Sequence, residues 1–215
     1  RGRLASTTGI LRQAGARPGA IYGRLADRHL YRALLDRDHE FFAALVAELA
    51  EALDSEGIEY VAGDAVEGFN PGHDVCRLLI NAAVSRLGAG GRAIRNYEFP
   101  LDAAPATETP EGSLRLDLDD TALARKLAAA HGYPEMAYEV EKALAAHGVA
   151  AFRTEVLRPV DYAFDIAGRF SRPPYYESYG EQQVAKGIYG EVVRFHEHFE
   201  PVALELQRGY GAPPA

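Results

Sequence analysis

The chain has one cysteine, Cys76, so it cannot close an internal disulfide. Nothing therefore argues for an oxidising compartment, and a reducing cytoplasm is the expected location. Long apolar runs are missing too. The longest, Leu78 to Val84 and Val149 to Phe152, fall far short of the roughly 18 to 20 apolar residues that span a bilayer, which excludes a membrane helix. There is no Lys/Arg-rich run, and 31 acidic residues against 23 basic ones give a field that repels nucleic acid and anionic lipid. Neither is expected as a partner. Also absent are Gly-x-Gly-x-x-Gly, the P-loop pattern and the Gly-x-Ser-x-Gly elbow, so dinucleotide, P-loop and serine-hydrolase sites are unsupported. Gly88-Ala89-Gly90-Gly91 ends a helix rather than opening one, and no internal repeat or low-complexity tract is visible.

What is present suffices for a core: 215 residues, 47% of them hydrophobic, fit one domain. Arg1 to Gly19 is basic, Gly-rich and aperiodic and reads as a flexible arm, leaving residues 20–215 as a single α/β domain. The numbering opens on Arg1 without a methionine, which leaves room for an upstream segment. From Leu25 to Leu53, apolar residues such as Leu30, Leu34, Phe41, Leu45, Leu49 and Leu53 recur at helical spacing, as one long helix or two end to end. Gly57 stops that run, and Ile58 to Ala62 reads as a strand. A turn-rich segment, Gly63 to Gly72, then leads into an apolar helix from about His73 to Leu87.

Further strands are expected at Ala93 to Phe99, around Leu114, Leu116 and Leu118, and at Val149 to Leu157. Helices are expected from Thr121 to His131, behind the capping Asp119 and Asp120, and from Pro134 to Ala146. Arg158 to Gly180 reads as an ordered aromatic loop, and Glu181 to Gln207 as a closing helix despite Pro201. Alternating strands and helices predict a layered, Rossmann-like α/β architecture: a small, largely parallel sheet flanked by helices. The apolar stripe of the last helix fits a core or a second copy of the chain equally well, so a homo-oligomer is one expectation.

In open α/β sheets ligands bind beyond the carboxyl ends of strands, which singles out the segment from Asp64 to Cys76. Asp64 and Glu67 are the candidate general bases, and Asp64, His73 and Asp74 the candidate ligands of a divalent metal, zinc first. Asp74 is alternatively placed to orient His73. The ordinary reading of the same residues is capping: Asn70 and Pro71 make a good N-cap and first helical residue, and Asp74 complements the helix dipole.

A strand, a carboxylate and then Asn70-Pro71-Gly72-His73 opening an apolar helix resemble the second zinc motif of the PIG-L/LmbE-like N-acetylglucosamine deacetylases, His-x-Asp-His. The resemblance covers residues 58–87. It implies a zinc-activated water that hydrolyses an acetamide on a sugar, with His73 as a ligand. Asn70 stands where that motif has its first histidine and Gly72 where it has aspartate, and the family's His-Pro-Asp-Asp-Glu motif does not occur in this chain.

Three other features carry chemistry. Cys76, near a helix N-terminus and three residues after His73, would suit a nucleophile, although a small buried core residue is the commoner use. His196 and His198 diverge by about 200° on a regular helix and so cannot share one metal. Asp36, Asp38, His39 and Glu40 read as an exposed charged face. The Tyr-rich stretch 172–181, with Arg172, Tyr175, Tyr176 and Tyr179, can wall a pocket for a polar ring, and Asn70 and Arg95 are counted with it as substrate contacts. Two functions follow: a metal-dependent hydrolase acting on a polar, sugar-like amide, or a non-catalytic module binding a small polar ligand or a partner chain through 172–181.

Overall fold

The helical periodicity after Leu25 resolves into two helices. Arg37 turns left-handed (φ 53°), and Asp38 caps a new start by accepting the Phe41 amide at 3.0 Å. The computed structural model describes residues 2–101, 109–162 and 165–210. Along them run α1 (Gly2–Gln13), α2 (Asp27–Asp36), α3 (His39–Ser55), β1 (Tyr60–Asp64), α4 (Pro71–Ala89) and β2 (Arg95–Phe99). There follow β3 (Leu114–Asp117), α5 (Asp120–His131), α6 (Ala137–His147), β4 (Thr154–Pro159), α7 (Tyr175–Ala185) and α8 (Glu200–Tyr210). The class is mixed α/β, and no helix among the described residues is long and apolar enough to cross a membrane.

Where a single domain over 20–215 is expected, contacts divide the chain into two compact units, one of Arg1–Gly23 with Ala104–Arg158 and one of Arg24–Ala103 with Pro159–Ala215. Periodicity marks elements but not their distant partners, so this division has no local signature. The expected flexible arm is helical over α1. It buries no residue and so shows no apolar stripe; hydroxyls tie it instead, Thr7 to the Tyr133 hydroxyl at 2.8 Å and Thr8 to that of Tyr22 at 3.0 Å.

In the first unit β3 and β4 pair antiparallel, Asp117 opposite Thr154 and Leu114 opposite Leu157. Two helices lie between these strands, so the chain returns to β4 at the end where β3 stopped. Parallel pairing joins β1 to β2 in the second unit, Tyr60 opposite Arg95 and Asp64 opposite Phe99. The strand expected at Ile58 starts two residues later, because the Ile58 amide is bound back to the Leu53 carbonyl at the end of α3, across Gly57 at φ 66°. Gly63 and Asp64 therefore belong to β1 rather than to the loop.

The second unit holds the core. Phe42 and Val46 of α3, Val75 and Leu79 of α4, Val202 of α8, and Phe195 and Phe199 before it are almost completely buried together. The closing helix is interrupted: α7 ends at Ala185, Gly187 adopts φ 69°, and a π-turn over Phe195–Phe199 leads into α8. Pro201 sits in the first turn of α8, directly after the π-turn. The aromatic loop expected up to Gly180 becomes helix from Tyr175 onward.

Candidate functional site

Everything that follows lies in the second unit. Asn70 caps α4 as its sequence suggests: its side-chain oxygen accepts the Gly72 amide at 2.8 Å and the Tyr31 hydroxyl at 3.2 Å, and Pro71 follows. Between β1 and this cap the chain makes a tight loop whose floor is Asp74. That carboxylate is 1% exposed and accepts the amides of Glu67 and Gly68, each at 3.0 Å. Burial pushes its pKa up to about 6, against the lowering effect of the two amides. Gly68, at φ 72°, lies so close to Phe170 and Pro174 that a Cβ would meet them at 2.7 and 2.8 Å, and its carbonyl accepts the Tyr176 amide at the start of α7. Glu67 is drawn away from the cap, its Oε2 accepting the Leu101 amide at 2.6 Å.

Asp74 thus does not orient His73; Asp64 does. Asp64, at the carboxyl end of β1, places Oδ2 2.5 Å from His73 Nδ1, and the two side chains are 24% and 50% exposed. The hydrogen bond to Asp64 raises the imidazole's pKa, burial opposing it. A carboxylate on Nδ1 holds the neutral ring as the tautomer with its proton there, which leaves the Nε2 lone pair for a ligand or a proton. Asp64 is thus the partner of His73 through Oδ2. Among the described residues no three His, Cys, Asp or Glu side chains gather to hold an ion. With Asp74 spent on backbone amides, the Asp64, His73 and Asp74 set does not fit a zinc centre.

The aromatic stretch divides by helical phase. Tyr176 is buried beside Phe199 and Asp74, and burial raises its pKa, so it is a core residue rather than a substrate contact. Tyr175 and Tyr179, one turn apart on α7, face solvent. Phe69 stacks on Tyr175 (centroids 5.2 Å apart, planes 5° apart), Tyr175 lies 6.0 Å from Tyr179, and Tyr179 meets Tyr189 edge-on at 6.5 Å and 69°. These four rings form one exposed aromatic row. Tyr31, behind Gly72, is near enough to Tyr189, Tyr179 and Asp27 to feel their charges, and burial above all pushes its pKa up to about 12. The row thus borders the Asn70 cap of α4.

The chain matches no protein-family model, no curated protein and no solved structure. Its site is therefore read from its own residues. Arg95 opens β2 opposite Tyr60, at the other end of the strand pair from Asp64, roughly 13 Å away at the usual strand rise, so it does not share this mouth. Arg172 is exposed before α7. Cys76 is exposed, not the core residue expected, and desolvation and then Asp64 push its pKa up to about 11, which disfavours the thiolate. His196 pairs with Glu200 at 2.7 Å, and His198 Nδ1 accepts the Arg194 amide at 2.9 Å; both serve the π-turn.

One polar network escapes the sequence reading. Arg77, 1% exposed, donates to the Tyr97 carbonyl at 2.8 Å and to the Asn96 side chain at 2.7 Å, and Asn96 in turn donates to Asn81 and to the Tyr162 hydroxyl. Its signal is the spacing of His73, Arg77 and Asn81, one polar position per turn along one line of a largely apolar helix.

Proposed function

We propose that the second unit is a binding module for a small polar, ring-bearing ligand, held at the carboxyl end of β1 between the Asp64–His73 pair and the row of Phe69, Tyr175, Tyr179 and Tyr189. The observation that carries this is the polar pair and the aromatic row at the two sides of one cap. A half-exposed imidazole with one nitrogen committed and one free is a directional polar anchor, and exposed ring faces supply apolar area at low entropic cost. Sugars and other saturated polar rings match both. Titration with a panel of neutral and acetamido monosaccharides, followed by protein NMR, tests it: binding should weaken at least about tenfold in both His73→Gln and Tyr175→Ala, the loss of a buried polar contact or a ring face. Binding indifferent to both substitutions, or none across the panel, would overturn the reading.

A second reading, hydrolysis of a sugar-like amide with a divalent metal, keeps one observation in its favour: a carboxylate on Nδ1 is the usual outer partner of a metal-binding histidine. It needs ligands beyond those the described residues gather. Near-stoichiometric zinc in the purified protein, falling in His73→Ala, would put this reading first. A layered arrangement with the site beyond the β1 and β2 carboxyl ends serves either function.

A further inference from the structure

Four large aromatic side chains stand together at the surface of the second unit. Phe69, Tyr175, Tyr179 and Tyr189 are 44, 53, 41 and 38% exposed, and each touches the next. Contiguous exposed apolar surface is a feature of binding sites. The row also turns. Phe69 and Tyr175 are parallel, Tyr179 is tilted 33° from Tyr175, and Tyr189 stands 69° from Tyr179. Flat platforms suit a sugar face, whereas two rings at a steep angle form a corner that offers electron-rich surface from two directions.

A carboxylate stands beside this corner. Asp27, exposed at the start of α2, is close enough to act electrostatically on both Tyr31 and Tyr189. Of the cations on the same helix, Arg32 is matched by Asp36 at 2.6 Å and Glu191 at 3.5 Å, and Arg28 donates to the His29 ring at 3.4 Å. His73 is matched by Asp64. The whole chain carries a formal charge of −8. Tyrosine faces attract cations through the ring quadrupole, most strongly where a nearby carboxylate adds its field. We infer that the corner of Tyr179 and Tyr189, with Tyr31 and Asp27 beside it, binds an organic ammonium group, so that the ligand of this site is a polar molecule carrying a quaternary or primary ammonium at one end. This rests on the binding reading above and adds the ligand's charge.

The test uses choline and its neutral isostere, with a tert-butyl group in place of the trimethylammonium, titrated into the whole protein by calorimetry and by tyrosine fluorescence. The chain has 12 tyrosines and no tryptophan, so that emission reports tyrosines alone. Choline should bind at least about tenfold tighter than the isostere, the preference a partly desolvated cation–π site confers. Tyr189→Leu and Asp27→Asn should each cost about fivefold or more, while Tyr138→Leu, an exposed tyrosine in the first unit, should change nothing. Equal affinity for the isostere would show an apolar patch and overturn the inference. So would a choline preference that survives Tyr189→Leu and Asp27→Asn. If choline fails to bind while a neutral sugar binds in a His73-dependent way, the charge assignment falls and the binding reading stands; if neither binds, both fall.

Discussion

Asp74 is 1% exposed and accepts two backbone amides, whereas the Asp64 side chain, 24% exposed, takes one imidazole nitrogen. The two carboxylates flank the same loop. At its floor the Asp74 carboxylate is matched by fixed partners, and those partners are backbone amides. At its rim the partners are side chains, and one of them, His73, keeps a nitrogen in reserve. A floor of this kind sets conformation and a rim of this kind meets ligands, so substitutions at the two should separate stability from binding.

The largest effect is expected from Asp74→Ala. It strands the Glu67 and Gly68 amides, the second of them buried, and should cost about 2 to 3 kcal/mol, measured by urea unfolding at neutral pH. The deficit should depend on pH. Asp74 is raised in the folded state from 3.8 to about 6, so its contribution is fully present below the lower value and declines as pH rises to the upper one. The gap between wild type and variant should therefore be wider at the acid end of that window than above it. A gap that widens with rising pH would mean that burial does not govern this carboxylate. Gly68→Ala comes next, at about 1 to 3 kcal/mol: the left-handed backbone resists a side chain, and the new Cβ would press on Phe170 and Pro174. It should also weaken ligand binding, because the loop carries Phe69.

The helix caps were legible and most of the loop's side-chain pairings were not, for a reason that lies in chain geometry. Capping is local chemistry, so Asn70-Pro71 at α4 and Asp119 at α5 follow from adjacent residues, whereas the Asp38 cap that separates α2 from α3 was hidden in what reads as a charged face. Pairing His73 with Asp74 treats neighbours in sequence as neighbours in space. Consecutive helical residues diverge by about 100°, so Asp74 turns into the core as His73 turns out toward β1. The same phase separates buried Tyr176 from exposed Tyr175 and Tyr179, a distinction invisible while the stretch reads as a loop. Arg95 and Asp64 lie at opposite ends of the strand pair, which register alone decides. The approach of Tyr31, Phe69 and Tyr189 to one surface depends on tertiary contacts with no local trace.

The smallest change in stability is expected at the rim, where Asp64→Asn should cost under about 1 kcal/mol because the pair is half exposed and screened. Its readout is the imidazole itself. The hydrogen bond to Asp64 raises the His73 pKa, so by NMR titration His73 should lose its proton at a higher pH in the wild type than in Asp64→Asn. The sign for folding follows. The pair's contribution is fully present below the ordinary histidine value of about 6.5 and is lost as pH rises through the raised one, so the difference between the two proteins should shrink toward alkaline pH. An unchanged His73 titration in Asp64→Asn would detach the imidazole from its carboxylate and remove the rim's directional anchor. A lowered titration with intact stability would leave the Asp74 floor holding the loop and the Asp64–His73 rim free to answer to ligand and pH.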